Sequence, residues 1–267
     1  MMVYIAGIRD LSLIDYPRHP CIVIWFQGCN FRCQYCYNYE LWEWKTENKI
    51  GLEDLIKRLE EACKWIEACK ITGGEPTLQS EALEIIGEKC MEIGLKFGMD
   101  TNGTNPKTIQ QLASKKLLNH VAIDLKAPLK VEDYKKLTNV NITEKDLENI
   151  KRSIKLTLEE DSIENVEIRI PIIRGFNDNP DKIIEMRKTL IDIGYLKAIE
   201  RGRNVSIELL EVIHEVAANK ELRLQKNLTV EEIVGFGELL NLPRIYVRHR
   251  SLGLRESLTE AKRRVKV

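Results

Sequence analysis

The chain is expected to fold as an α/β protein, a partial parallel (β/α)6 barrel with a C-terminal extension. Three observations carry that expectation. Apolar, β-branched stretches recur along most of the chain and alternate with segments of helical periodicity. Such alternation implies parallel strands joined by right-handed crossovers, and six units imply a curved or partly closed barrel. Polar and glycine-rich clusters also follow consecutive strands, where parallel α/β sheets bind their ligands.

In chain order, strands are expected at Cys21–Gln27, Cys69–Thr72, Leu95–Asp100, His120–Leu125, Val166–Ile173 and Val205–Leu210. Between them, Leu55, Leu59 and Cys63 repeat at helical spacing within 52–66, and Leu83, Ile86 and Cys90 share one face within 81–93. Further helices are expected over 106–117, 131–137, 144–156, 180–193 and 229–240. Residues 1–215 are expected to form the barrel. Residues 216–267 would add a helix, a strand and a basic tail that pack on it or extend it.

At 267 residues and 43% hydrophobic composition the chain can bury a substantial core. Lys+Arg and Asp+Glu balance at 41 each, so overall charge does not draw it to nucleic acid or to a membrane surface. Residues 244–267 depart from that balance, with eight Lys/Arg against two Asp/Glu, and read as a solvated tail or a docking surface. The longest apolar run near the N-terminus, Cys21–Phe26, is too short to cross a bilayer, and nothing before it has the layout of a secretory signal. A cytoplasmic protein is expected, with no membrane partner. In that reducing compartment seven cysteines read as thiols or metal ligands.

The run Gly28-Cys29-Asn30-Phe31-Arg32-Cys33-Gln34-Tyr35-Cys36 places three thiols within eight residues, on the loop after the first expected strand. Thiolates are soft ligands suited to zinc or iron–sulfur centres, and this spacing lets one loop wrap a single centre. A structural zinc site wants four protein ligands, commonly in two pairs. No second pair exists: Cys21, Cys63, Cys69 and Cys90 fall on strands, helix ends and an apolar helix face, where packed thiols are expected. Three thiolates on a four-iron cube leave one iron open to an exogenous ligand.

Gly73-Gly74-Glu75-Pro76 follows the second strand, where glycines let backbone approach a ligand and Glu75 offers an acceptor. Asp100-Thr101-Asn102-Gly103 ends the third strand and Asp124-Leu125-Lys126 the fourth. Locally these are a turn formula and a charge pair. Their shared position sets two carboxylates and a lysine around one mouth, with Lys126 able to pair a ligand carboxylate. Arg169 alternates inward on the fifth strand, either toward the same cluster or into an interior salt bridge. Lone His214, after the sixth strand, reads as a packing or surface residue.

The cysteine run, with three and then two intervening residues and aromatic Tyr35 before the last thiol, resembles the signature of the radical S-adenosylmethionine superfamily. Further segments are similar to the activating enzymes of glycyl-radical proteins, especially the activators of anaerobic ribonucleotide reductase and pyruvate formate-lyase. They are Asp15-Tyr16-Pro17, Gln27-Gly28-Cys29-Asn30-Phe31-Arg32-Cys33, Asp100-Thr101-Asn102-Gly103, Asp124-Leu125-Lys126-Ala127-Pro128 and Gly175-Phe176-Asn177-Asp178.

The resemblance implies that Cys29, Cys33 and Cys36 hold one 4Fe-4S cluster whose open iron takes the amino and carboxylate groups of S-adenosylmethionine. An electron from the cluster then breaks the sulfonium carbon–sulfur bond, and the 5′-deoxyadenosyl radical abstracts a hydrogen atom. It also implies that Gly73, Gly74 and Glu75 meet the methionine amino group. Asp100, Thr101 and Asp124 would frame a monovalent cation, and Lys126 would contact the cofactor with Tyr35, Asn102 and Arg169 nearby. The implied partners are a glycyl-radical enzyme, whose backbone glycine is the substrate, and a low-potential donor such as ferredoxin or flavodoxin. The alternatives are a radical enzyme acting on a small molecule, a peptide or RNA, and a non-enzymatic iron–sulfur or zinc protein.

Overall fold

The alternation in the sequence becomes one ten-stranded sheet in the computed structural model, which describes residues 1–253 and 255–265. The strands are β1 (Met2–Ser12), β2 (Cys21–Phe26), β3 (Lys49–Gly51), β4 (Ala68–Gly73), β5 (Lys96–Thr101), β6 (His120–Asp124), β7 (Asn165–Ile172), β8 (Val205–Glu211), β9 (Ile245–Arg248) and β10 (Glu256–Ser257). Their order is β10-β9-β8-β7-β6-β5-β4-β2-β1-β3. From β2 through β9, omitting β3, neighbours pair in parallel; β1, β3 and β10 pair antiparallel at the two edges.

All six expected strands form. A seventh parallel strand, β9, continues the wall by pairing Ile207 with Ile245, in the region expected as the extension. Strand β1 is not legible in the sequence. Its register against β2 shifts between Ile5 and Gly7 and again between Arg9 and Ser12, so it has no clean alternation to read.

The seven expected helices form at Leu52–Ala62, Ser80–Glu92, Pro106–Ser114, Val131–Thr138, Glu144–Glu159, Pro180–Asp192 and Val230–Leu240. Their starts follow local chemistry. Pro106 and Pro180 open two of them, and Thr143 with Asp146 and Thr229 with Glu232 form capping boxes on two others. Two further helices form at Tyr195–Glu200 and Leu258–Val265. The second carries much of the basic tail, where Lys262 pairs with Glu238 and Arg264 with Glu256. Leu254, Lys266 and Val267 of that segment lie outside the described residues. Among the described residues no helix is long and apolar enough to cross a membrane.

Alternation along the strands separates two environments. Ile71, Met99, Val121, Ile123, Ile168 and Ile207 face the helices and are fully buried in the main core. The intervening positions face the barrel interior, and many are charged. Burying a charge is costly unless it is paired, and here each charge has a partner. Lys70 lies 2.6 Å from Asp100, Arg169 3.1 Å from Asp100 and 2.9 Å from Glu167. Arg248 lies 2.9 Å from Glu167 and 3.0 Å from Glu208, which also takes Arg255 at 2.6 Å.

His120 sits inside this ladder, its Nδ1 2.8 Å from Lys70 Nζ. Burial, and then the Lys70 charge, lower its pKa from 6.5 to about 4. The folded ring is therefore neutral where the unfolded ring starts to take up a proton. Its contribution is fully present above pH 6.5 and is lost as the pH falls toward 4. At about 1.4 kcal/mol per pKa unit the loss is on the order of 3 kcal/mol. Urea unfolding followed across this interval should show that slope, and His120→Gln should flatten it. Equal slopes in the two proteins would remove His120 as the cause.

Candidate active site

Beyond Phe26 the chain turns at Gly28, which holds φ +90°, and a Cβ there would lie 2.3 Å from the Trp44 ring. The cysteine loop that follows is held by its backbone. Cys29 N–H donates to the Trp42 carbonyl at 3.1 Å, and Arg32 and Gln34 N–H donate to the Thr138 and Leu137 carbonyls, both at 2.9 Å. The Arg32 guanidinium donates to the Cys29 and Phe31 carbonyls at 2.6 and 2.9 Å, while the Phe31 ring is anchored in the core.

This arrangement brings Cys29, Cys33 and Cys36 to one cavity of about 190 Å³ at the carboxyl ends of the parallel strands. Around it stand Gly73 and Gly74 after β4, Asp100, Thr101 and Asn102 at the end of β5, and Asp124 and Lys126 at the end of β6. Arg169 and Pro171 of β7, Leu210 of β8 and Tyr35 complete the wall. Thr72, Tyr37 and Trp42 also line it.

Of the expected site residues, Glu75 alone is absent from the cavity wall. It is buried, and its carboxylate accepts from Thr77 N–H at 3.1 Å, Thr77 Oγ1 at 2.6 Å, Thr101 Oγ1 at 2.7 Å and Asn102 N–H at 2.7 Å. Burial raises its pKa, against the pull of those donors. The carboxylate thus ties the loop after β4 to the loop after β5. The paired glycines act on the other side. A Cβ on Gly73, at φ +114°, would lie 2.3 Å from the Phe26 carbonyl oxygen, and one on Gly74 would lie 2.1 Å from that of Gly28. Their bareness lets Gly74 N–H reach Phe26 O and Glu75 N–H reach Gly28 O, both at 2.8 Å. Gly-Gly-Glu therefore locks the cysteine loop in place.

Lys126 Nζ lies 2.5 Å from Asp124 Oδ2 and donates to the Tyr35 hydroxyl at 3.0 Å. Burial works against its charge, but Asp124, Tyr35 and Cys33 outweigh it and keep the ammonium protonated. Asp100 behaves alike: burial opposes ionisation, yet Arg169 and Lys70 hold the carboxyl well below its usual range. Both carboxylates expected around a monovalent cation thus already face cationic side chains. Arg169 lines the cavity and forms the interior salt bridge as well. Burial pushes the Cys29 and Cys33 thiols up to about 12 and raises Cys36, so the metal-free thiols hold their protons near neutrality and metal binding must release them.

Two supports were not legible as such. Lys70 stands out only as a charge within an apolar strand run. Fully buried Asn177 donates to the Lys126 and Pro171 carbonyls at 2.8 and 2.7 Å and accepts from Ile173 N–H at 2.7 Å, fixing the lysine's backbone. Asn177→Ala should raise the KM for S-adenosylmethionine about tenfold with a smaller change in kcat, and an unchanged KM would remove this role. His214 is buried outside the cavity wall, its N–H donating to Asn227 Oδ1 at 2.7 Å.

The donor set fits an iron–sulfur cluster. The three thiols border a shared space, and soft thiolates on one loop suit a multi-iron cube.

A partial parallel barrel with this thiol loop and a charged, glycine-lined cavity at its strand ends defines the fold and site of a radical S-adenosylmethionine enzyme. Residues 23–187 match the Radical SAM superfamily, and the chain belongs to it. It is 35% identical over 196 residues to a Methanocaldococcus jannaschii protein named, by inference, a glycyl-radical enzyme activating enzyme, covering 72% of this chain and 77% of that one. Against the pyruvate formate-lyase 1-activating enzyme of Escherichia coli K12 the identity is 26% over 203 residues, covering 73% and 78%. In fold it is similar to the crystal structure of a radical SAM methyltransferase from Sphaerobacter thermophilus, with a TM-score of 0.64 and 19% identity over 89% of this chain and 68% of that one. More particularly, then, this is a radical S-adenosylmethionine oxidoreductase like the glycyl-radical activating enzymes.

Proposed function

We propose that this enzyme installs a glycyl radical on a partner protein, with one 4Fe-4S cluster on Cys29, Cys33 and Cys36 and S-adenosylmethionine in the same cavity. The observation that carries this reading is the convergence of the three thiols with Gly73–Gly74, Asp100, Asp124 and Lys126 on one wall. When bound, the cluster supplies the electron that cleaves the cofactor's carbon–sulfur bond to give a 5′-deoxyadenosyl radical.

The chain's own residues bind and orient. Lys126, held protonated by Asp124 and Tyr35, presents positive charge to the cofactor carboxylate. Asp100 and Asp124 supply the negative charge that a sulfonium and an ammonium group prefer. The backbone at Gly73 and Gly74 leaves room for the amino group beside the cysteines. Arg169 keeps Asp100 ionised and fixed. Hydrogen-atom abstraction needs no general acid or base, in keeping with a cavity whose lysine and arginine are held permanently charged. Lys126 and Arg169 already face Asp124 and Asp100, the carboxylates that a monovalent cation would share.

The proposed substrate is a backbone glycine of a glycyl-radical enzyme such as anaerobic ribonucleotide reductase, docked across the mouth, with ferredoxin or flavodoxin as electron donor. The similarity to two activating enzymes over nearly three quarters of the chain supports this over small-molecule, peptide or RNA substrates. Anaerobic incubation of the reconstituted, reduced enzyme with the partner and S-adenosylmethionine should produce the glycyl doublet by electron paramagnetic resonance. Cofactor cleavage without a doublet on any glycyl-radical partner of the source genome would turn the reading toward a small molecule or RNA.

A further inference from the structure

The barrel carries a second cavity at its opposite end. Its volume is about 620 Å³, larger than that beside the cysteines, and it is lined by the first residues of β7 and β8 and by the loop after β1. Arg18, Arg244, Arg248 and Arg255 border it, against the carboxylates of Asp15 and Glu167. One wall is apolar, built from Leu13, Ile14 and Pro17, with Leu13 74% exposed.

The four arginines fall into two pairs. Arg248 and Arg255 are committed to Glu167 and Glu208. Among the described residues Arg18 and Arg244 have no carboxylate at ion-pairing distance, and Arg244 donates to the Arg203 carbonyl at 2.6 Å instead. Both also hold left-handed backbone, at φ 65° and 56°. That conformation disfavours long side chains and is more often taken by glycine or asparagine. Interior pairing accounts for the first pair of guanidiniums; the second pair is exposed at the same rim on left-handed backbone, a conformation that gathers where a ligand is held.

We propose that this cavity binds a small organic phosphate, its phosphate group on Arg18 and Arg244 and its body against Leu13, Ile14 and Pro17. The planar fork of a guanidinium matches phosphate oxygens, and the volume is that of a site for a cofactor-sized molecule. Cofactor binding at the cysteine end makes no use of these residues.

Titration calorimetry on the anaerobically reconstituted enzyme tests this, with S-adenosylmethionine saturating so that the probe is kept out of the cysteine cavity. ATP and inorganic pyrophosphate serve as probes. ATP should bind saturably, one per chain, and pyrophosphate more weakly because it lacks an apolar body. Equal affinity for the two would overturn the role of the apolar wall. Asparagine accepts the left-handed backbone, so the double variant Arg18→Asn/Arg244→Asn should melt as the wild type does while losing at least about tenfold in ATP affinity. Leu13→Asp, at an exposed position, takes away part of the apolar wall that holds the ligand's body and should weaken ATP similarly without a folding defect. Absence of saturable binding, or wild-type affinity in Leu13→Asp or in the double variant, overturns the proposal.

Discussion

Alanine at any one of Cys29, Cys33 or Cys36 should reduce S-adenosylmethionine cleavage to less than about a thousandth of the wild-type rate, because the chemistry belongs to the cluster and not to a side chain that others can replace. The three thiols line one cavity, and the loop that carries them is held by backbone hydrogen bonds to the Trp42, Thr138 and Leu137 carbonyls. The variants should therefore fold but reconstitute with a deficit of iron. Cys63 provides the contrast. Its thiol lies outside that cavity and donates to the Glu60 carbonyl, so Cys63→Ala should keep both iron and activity. Iron content, the visible absorption of the cluster and 5′-deoxyadenosine release together check the prediction. A Cys33→Ala protein with full iron and activity would contradict it.

Gly74→Ala should be nearly as damaging, by another route. The added methyl would meet the Gly28 carbonyl oxygen at 2.1 Å and its carbon at 2.7 Å, and these are backbone atoms that cannot swing aside as a side chain would. Relief requires separating the loops after β2 and β4, which are joined through Phe26 O and Gly28 O. The expected cost is about 3 kcal/mol, with a fall in cluster content because the displaced loop carries Cys29. Gly235, inside the helix Val230–Leu240, has no atom within 4 Å of its added Cβ. Gly235→Ala should stabilise by about 0.5–1 kcal/mol through helix propensity alone. Urea unfolding of the two variants checks both signs, and a wild-type midpoint with full iron for Gly74→Ala would refute the crowding argument.

What the sequence made legible, and what it hid, divides along physical lines. The strands were readable because a parallel sheet under helices needs apolar residues such as Ile22, Ile24, Ile71, Val121 and Ile123. The cysteine loop was readable because ligand spacing is local. Partnerships across the barrel were not. Glu167 meets Arg248, and Lys70 meets Asp100, only after the strands are assembled, so in the sequence each is an ordinary charge. The tie that Glu75 makes to Thr101 and Asn102 likewise exists only once β4 and β5 lie side by side. Tyr16 shows the same limit. The Asp-Tyr-Pro segment turns out to be a plug whose ring lies 5.1 Å from that of His120, and a Cβ on Gly98 would meet it at 2.7 Å. That glycine in mid-strand is there for the tyrosine.

The central claim is that the radical made beside Cys29, Cys33 and Cys36 takes its hydrogen from a backbone glycine of another protein. Isotope transfer tests it most directly. A glycyl-radical partner is prepared with glycine deuterated at its α carbon, and the reduced, reconstituted enzyme is given that partner and S-adenosylmethionine under anaerobic conditions. Mass spectrometry of the nucleoside product should then show 5′-deoxyadenosine carrying one deuterium, in amounts that track the glycyl radical formed. Unlabelled 5′-deoxyadenosine, released at the same rate with or without the partner, would contradict the account.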